Sequence, residues 1–516
     1  MKLLSITTVL CAVLATSAIS QDYDVVILNG RVMDPETGYD AVANVGVSDG
    51  SIKIITSDDI SGEETIDASG HVVAPGFIDM HSHVSEVPFM QKVMLRNGVT
   101  TGMELEVGAW PIDNYYDALD GKSQTNYGVT VSLFGIRETV MNENYASVTG
   151  SMVTDMYENG EASFVDMTFQ QPPEPEQVEL FIEMAEEGIR RGALGFAIPV
   201  GYAVDGITSA EIRGLQKLAG EYGVATFVHG RFSSQNDPLS GVLGTAEFLS
   251  NLGVYGGGLL FHHIHQQTLG MTDAVLDWID DARANGLNVL AEIYPYNFGA
   301  TIVAADYLVP SNYGPNMGRD YGDITESATG QPLTKERYEE LMQTDPGAAV
   351  TFFGSTEETM LSALARPNTT VVGSDAFPLN VRETGENAWD WDTPYEGLGG
   401  HPRGAGTYGL VLRMVREDDL MPLMTAIGKM SYDIARFLED SGISPMAFKG
   451  RMQVGADADI TIFDPQTVTE NSTMEQPGLP STGIPYVLVN GTIVVSDSKV
   501  LKDVFPGQPV RMPARN

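Results

Sequence analysis

The chain has 516 residues, and its 29 Lys and Arg against 69 Asp and Glu give a formal net charge of −40. Hydrophobic residues make up 43% and charged residues 19% of the chain, which is ordinary for a globular protein and excludes a disordered acidic protein, a collagen and a membrane bundle. The negative charge repels nucleic-acid phosphate and anionic lipid, so we expect neither nucleic acid nor a membrane as a partner. The single cysteine, Cys11, excludes an internal disulfide and a four-cysteine metal site.

The N-terminal segment has the pattern of a secretory signal peptide. Lys2 is followed by an apolar run to Ala18 and by small residues ending at Ser20. The run is shorter than the roughly 20 residues that a membrane-spanning helix needs. We therefore predict a cleaved signal peptide over 1–20 and a secreted or periplasmic protein; a core strand or an uncleaved anchor is the alternative. After cleavage the mature chain would contain no thiol.

The next segment, 21–74, consists of short β-branched runs separated by Asn-Gly, Asp-Gly and Ser-Gly, which is typical of hairpin strands. The last segment, 451–516, repeats this style, and its VLVNG echoes VILNG near the start. We predict that the two chain ends build one small β-sandwich domain.

Between them, over 75–450, short apolar strands alternate with helical stretches. This alternation predicts an α/β fold, namely a (β/α)8 TIM-like barrel. The polar stretch at about 306–352 predicts a lid insertion over the barrel mouth.

Histidine and aspartate side chains close several of the predicted barrel strands. They are His81, His83, His229, His265 and Asp375. Active sites of such barrels lie at the carboxyl ends of the strands, so we expect these side chains to converge there. Nitrogen and oxygen ligands suit zinc or another divalent metal, and the sequence predicts one or two such ions.

A site for two metals also needs a bridging anion, and the strand GVTTGMELEVG offers two candidates. Glu104 and Glu106 alternate to the same face, and burying either without a cation would cost several kcal/mol, as an order of magnitude. We predict Glu106 as the bridge because it lies nearer the strand's carboxyl end, with Glu104 as its supporting neighbour. His263 shares the face of His265 by strand alternation and is the alternative ligand if the register differs by two. Arg403 suits bidentate capture of a carboxylate, or else forms a surface ion pair.

Taken together, these motifs resemble the N-acyl-D-amino-acid deacylase group of the metal-dependent amidohydrolase superfamily. The landmarks are APGFIDMHSH, FVHGR, IYPY, VGSDA, HPRGAGT and GADADITIFDP, and they span nearly the whole mature chain. The resemblance implies that His81, His83, His229 and His265 bind the metal and that Asp375 is both ligand and catalytic acid/base. It also implies that Arg403 holds the substrate's α-carboxylate and that Tyr294 holds the scissile carbonyl.

The chain departs from that group at two places. LEVG replaces the stretch that carries the group's bridging cysteine, which leaves Glu106 as the candidate. Gln267 follows His265 where the group has a lysine two residues after its second isolated metal histidine, so we expect Gln267 to meet a substrate with fewer anionic groups or a different amide.

The expected function is hydrolysis of N-acyl-D-amino acids, with zinc as cofactor and a small carboxylate-bearing molecule as substrate. A dipeptidase, another amide or lactone hydrolase, and a non-catalytic binding protein are the alternatives. The sequence leaves a homo-oligomer open.

Overall fold

The computed structural model describes residues 22–142, 145, 147, 149–159, 170–236 and 238–514. The predicted signal peptide, 1–20, and Cys11 lie outside the described residues and stay predictions. In the described parts of the chain, no helix combines the length and the apolar character that crossing a membrane requires.

Strands and helices alternate along the middle of the described chain, and strands alone form its two ends. The strands are β1 Asp22–Asp34, β2 Tyr39–Ser48, β3 Ser51–Thr56, β4 Ser61–Asp67, β5 Val72–Pro75, β6 Phe77–Asp79, β7 Val99–Ala109, β8 Asn126–Ser132, β9 Gly195–Ile198, β10 Ala225–Val228, β11 Gly258–Phe261, β12 Asn288–Ile293, β13 Phe298–Ile302, β14 Ile324–Glu326, β15 Gln331–Pro332, β16 Ala349–Phe353, β17 Thr370–Val372, β18 Asn380–Val381, β19 Leu398–Gly399, β20 Ile460–Phe463, β21 Tyr486–Val489, β22 Thr492–Ser496 and β23 Lys499–Val500. The α-helices are α1 Pro88–Arg96, α2 Ile112–Leu119, α3 Leu133–Met141, α4 Met152–Asn159, α5 Pro175–Arg190, α6 Ser209–Tyr222, α7 Gly241–Tyr255, α8 Ile264–Thr268, α9 Thr272–Ala284, α10 Pro310–Met317, α11 Lys335–Thr344, α12 Glu357–Ala365, α13 Arg403–Glu417, α14 Leu423–Met430 and α15 Tyr432–Asp440.

The two chain ends share one sheet. Its strand order is β23-β22-β21-β20-β5-β1-β2-β3, and β4 pairs with β1. The junction between the two ends is the antiparallel pairing of β20 with β5, in which Ile460 lies opposite Pro75. Buried Val45, Val73 and Leu488 belong to the common core of this sheet. The prediction of one small β-domain built from both ends is confirmed.

The middle of the chain forms the predicted barrel. Eight strands run parallel in the order β17-β12-β11-β10-β9-β8-β7-β6. The first and last strands approach each other just beyond their carboxyl ends, where the His83 N–H donates to the Ala376 carbonyl at 3.0 Å and Ser374 N–H donates to the Asp79 carboxylate at 3.0 Å. Most strand residues are buried, as expected of parallel strands covered by helices on the outside. The (β/α)8 architecture is therefore confirmed.

The helices around the barrel begin and end at local signals in the sequence. Helix α6 starts at a reciprocal capping pair, in which Thr208 accepts from the Glu211 N–H and Glu211 accepts from the Thr208 N–H. It ends at Gly223, whose φ of 69° is the left-handed conformation that glycine adopts without strain. Because each helix has a defined beginning and end, the strands between the helices also end at defined residues, and their carboxyl ends lie at one rim of the barrel.

A small antiparallel sheet lies between β12 and α12. Its strand order is β13-β16-β14-β15, and α10 and α11 accompany it. Its own core includes Tyr307, Met317 and Phe352, and the same three side chains line a cavity at the barrel mouth. The insertion predicted over 306–352 falls on this sheet; the domain boundaries and any lid movement stay predictions.

Candidate metal centre and substrate cavity

Side chains from five barrel strands meet at the carboxyl rim. They are His81 and His83 beyond β6, Glu106 in β7, His229 after β10, His263 after β11 and Asp375 after β17. All six are buried, with 4% exposure or less. Barrel strands deliver them to one point because parallel strands end at the same rim.

One carboxylate oxygen of Glu106 belongs to a first group of donors. Glu106 Oε2 lies 3.2 Å from Nε2 of both His81 and His83. Asp375 Oδ1 lies 3.3 Å from the same two nitrogens. Ligands at 2.0–2.1 Å from a tetrahedral zinc are separated by about 3.3 Å, so the spacing of these four atoms fits such an ion.

The other oxygen of Glu106 belongs to a second group. Glu106 Oε1 lies 3.2 Å from His229 Nδ1 and 2.8 Å from His263 Nε2. The carboxylate thus presents one oxygen to each group, which is the arrangement of an anion that bridges two cations. The sequence analysis predicted Glu106 as a bridge, and that role stays a prediction.

Two further carboxylates orient the histidines of the first group. Glu104 Oε2 accepts from His83 Nδ1 at 2.6 Å, and Glu292 Oε2 accepts from His81 Nδ1 at 2.9 Å. A proton held on Nδ1 leaves the Nε2 lone pair free for a metal. Glu292 escaped the sequence analysis; the signal was a single carboxylate inside the apolar strand LAEI, where burial without a partner would be costly.

The buried carboxylates give the site an excess of negative charge that a bound cation would compensate. Burial disfavours the charged form of His81, but Asp375, Glu106 and Glu292 outweigh it and raise its pKa to about 10. Burial likewise opposes ionisation of Glu106, yet the neighbouring His81 and His263 hold its pKa well below the usual range. The donor set, its spacing and its excess of carboxylates fit divalent metal ions.

His263 stands where the sequence analysis expected His265, and the chain path explains why. Strand β11 ends at Phe261, His263 adopts a left-handed φ of 30°, and helix α8 begins at Ile264. Strand alternation therefore stops before His265. His265 instead donates from Nε2 to the Tyr296 carbonyl at 3.0 Å, outside the group around Glu106.

If His263 takes the place expected of His265, the position compared with the lysine of the deacylase group also changes. Two residues after His263 comes His265, not Gln267. Gln267 is fully buried, and its Oε1 accepts from the Gly230 N–H at 3.0 Å. It does not line the cavity at the mouth, whereas its neighbour Gln266 does.

Asp375 and Arg403 connect the candidate metal ligands to this cavity at the barrel mouth. Asp375 has a left-handed φ of 52°, a strained conformation typical of functional sites. Its Oδ2 lies 2.7 Å from Arg403 Nη1, while its Oδ1 faces the histidines. Arg403 is 1% exposed, so it forms no surface ion pair. Its guanidinium carbon lies 4.9 Å from the centre of the Tyr294 ring, and Tyr294 also lines the cavity.

A second cavity lies beside His83 of the first group. Its walls are mainly apolar and include Val107, Ile302 and Phe377 beside His83. Tyr202 borders both cavities, and each cavity is lined by at least one candidate metal ligand.

Known proteins resemble this chain over almost its whole length. An N-acyl-D-glutamate deacylase of Alcaligenes xylosoxydans xylosoxydans is 28% identical over 497 residues, which cover 91% of this chain and 93% of that protein. A D-aminoacylase of the same organism is 24% identical over 518 residues, covering 92% and 95%. The crystal structure of the N-acyl-D-glutamate deacylase from Bordetella bronchiseptica, complexed with zinc and a phosphonate mimic of the tetrahedral intermediate, has a TM-score of 0.73 at 24% identity and covers 95% of this chain and 100% of that chain. No protein-family model matches the chain.

Proposed function

We propose that this protein is a metal-dependent hydrolase of N-acyl-D-amino acids. The deacylases that it matches over more than 90% of its length confirm its resemblance to that group of amidohydrolases. The observation that carries the proposal is the Glu106 carboxylate, with one oxygen facing His81 and His83 and the other facing His229 and His263. The proposed substrate is a small molecule with a free carboxylate and a linear amide.

The proposed cofactor is zinc, in one or two ions per chain. His81, His83 and Asp375 would hold one ion together with Glu106, and His229 and His263 would hold the other with the same carboxylate. When bound, such an ion acts as a Lewis acid and makes water a nucleophile at neutral pH.

Asp375 is the proposed general base and acid. Burial opposes its ionisation, but Arg403 and His81 hold its pKa below the usual range, so it is an unprotonated acceptor at neutral pH. A carboxylate placed at the histidines can take a proton from the attacking water and return it to the leaving amine. The ion pair with Arg403 fixes the direction of its second oxygen and so keeps the first oxygen aimed at the reaction centre.

Arg403 and Tyr294 are proposed to position the substrate. The Nε–H of Arg403 is buried and has no partner among the described residues, so the guanidinium can bind a substrate carboxylate while it keeps Asp375. The amino-acid part would then occupy the cavity beside Arg403 and Tyr294, and the acyl group the apolar cavity beside His83.

A substrate panel tests this function. Zinc-loaded protein is offered N-acyl-D-amino acids, their L forms, dipeptides and cyclic amides, and the released amine is measured. Hydrolysis confined to the acyl-D-amino acids supports the proposal. Preference for dipeptides or cyclic amides would replace it with another amide hydrolase, and full zinc loading without any turnover would favour a binding protein.

A further inference from the structure

The cavity beside Arg403 contains one buried amide whose hydrogen-bonding is incomplete. Gln266 is 5% exposed and lines this cavity. Its Oε1 accepts from the Ser355 N–H at 3.0 Å. Its Nε2 is buried and has no hydrogen-bond partner among the residues that the structure describes.

The orientation of this amide is determined by its neighbours. A backbone N–H can face only the oxygen of a carboxamide, so Ser355 holds Oε1 and directs Nε2 the other way. Gly354 leaves room for this amide, because a Cβ there would lie 2.1 Å from Gln266 Oε1 in its present position. Buried N–H groups without an acceptor are unfavourable and rare, so we expect Nε2 to be completed by a ligand.

Apart from Arg403 and the candidate metal ligands, the walls of the cavity are uncharged. Tyr307, Met317 and Phe352 supply apolar and aromatic surface, and Ser233 supplies a hydroxyl. Among the described residues that line the cavity, Arg403 is the one Lys or Arg, and Asp375 already pairs with it. A second carboxylate on the substrate would therefore have no Lys or Arg of its own among these lining residues.

We infer, on the basis of the proposed function, that the substrate's amino-acid side chain ends in a carboxamide. With the α-carboxylate on Arg403, the side-chain amide oxygen accepts from Gln266 Nε2, and its NH2 group donates to the Ser233 hydroxyl. An acidic side chain meets the uncharged Gln266 instead of a Lys or Arg, and an aliphatic one leaves Nε2 unpaired. Gln266 is thus a specificity-determining residue, one position before the glutamine that the sequence analysis singled out.

The test compares two nearly isosteric substrates on the zinc-loaded full-length protein. N-acetyl-D-glutamine offers the amide, whereas N-acetyl-D-methionine has the same length without it; N-acetyl-D-glutamate reports on charge. We expect kcat/KM for the glutamine substrate to exceed that for the other two by about tenfold or more, since a site built to bind a polar group rejects analogues that lack it.

Two variants separate this preference from folding effects. Gln266→Glu keeps the acceptor for Ser355 and removes the donor, and Gln266→Met removes both. Each should lower the glutamine-to-methionine ratio of kcat/KM by about tenfold, and the ratio cancels any loss of folded protein. The same change one residue along, Gln267→Glu, alters an amide that does not face the cavity and should leave the ratio unchanged.

Faster hydrolysis of the glutamate or methionine substrate by the wild type would overturn this inference and leave the proposed function standing. A ratio that stays constant in both Gln266 variants would do the same. Absence of hydrolysis of every N-acyl-D-amino acid would overturn both.

Discussion

Glu104 gives the sharpest test of the candidate metal centre, because its two oxygens accept hydrogen bonds from different groups. Oε2 accepts from His83 Nδ1 at 2.6 Å, and Oε1 accepts from the N–H groups of Glu106 at 3.1 Å and Val107 at 2.9 Å. In Glu104→Gln only one end of the side chain can accept. If the amide oxygen stays with the backbone, its NH2 group faces Nδ1, which must then accept.

That change moves the imidazole proton of His83 to Nε2, the atom that faces Glu106 and Asp375. A protonated nitrogen cannot bind a metal. Loss of such an orienting partner typically costs 10- to 100-fold in metal affinity, or about 1.4 to 2.7 kcal/mol. We expect the zinc dissociation constant of Glu104→Gln, measured by competition with a fluorescent chelator, to rise by about this factor.

Glu292 supplies a matched control, since it also accepts from a histidine of the site. Its Oε2 accepts hydrogen bonds from His81 Nδ1 and from the His263 N–H, while its Oε1 has no hydrogen-bond partner among the described residues. In Glu292→Gln the oxygen can keep both bonds and the NH2 group can take the free position. We therefore expect a smaller loss of affinity, below about tenfold. Equal losses in the two variants, with unchanged melting temperatures, would refute the tautomer argument.

The other predictions concern the reacting groups and the buried carboxyl of Glu86. Asp375→Asn should lower kcat by about 10²- to 10⁴-fold while zinc, measured by elemental analysis, stays bound; normal turnover would contradict its role as base. Arg403→Lys should raise KM for an acyl-D-amino acid by about tenfold, because an ammonium cannot bind Asp375 and a carboxylate in the same fork geometry. Burial raises the pKa of Glu86 from 4.5 to about 7, so the folded state holds this proton more tightly than the unfolded state. The contribution of Glu86 to the free energy of unfolding is thus fully present below pH 4.5 and is lost as the pH rises to about 7, by up to about 3 kcal/mol. In Glu86→Gln the free energy of unfolding, measured by denaturation at a series of pH values, should change less over this range. The same slope as in the wild type would contradict the prediction.

The sequence predicted the barrel and the β-domain well because their signals are local. Turn pairs such as Asn-Gly mark hairpins wherever they occur, and an apolar strand that ends in His81 or Asp375 shows both its type and its carboxyl end. Strand ends in turn place side chains at one rim without any knowledge of the loops.

The predicted and observed positions of side chains differ where the chain leaves a regular element. Periodicity predicts which residues share a face only while the strand continues, and β11 ends two residues before His263. The histidine beside Glu106 is consequently His263, two residues before His265. Glu292 and Gln266 were missed for another reason: each acts through a partner from a distant part of the chain, His81 and Ser355, which no local pattern reports.

The acidity of the protein also constrains the order in which ligands bind. In the proposed function Arg403 attracts an anionic substrate, but at 2.7 Å it is already neutralised by Asp375, and Glu106 adds further negative charge. Two like charges about 4 Å apart repel by about 4 kcal/mol at an effective dielectric constant of about 20, roughly a thousandfold in affinity. Without metal, therefore, the cavity disfavours a carboxylate. Divalent ions beside Glu106 would cancel this repulsion, so the free energies of metal binding and substrate binding are coupled. By linkage, bound substrate must then raise the affinity for the metal by the same factor by which the metal raises the affinity for the substrate.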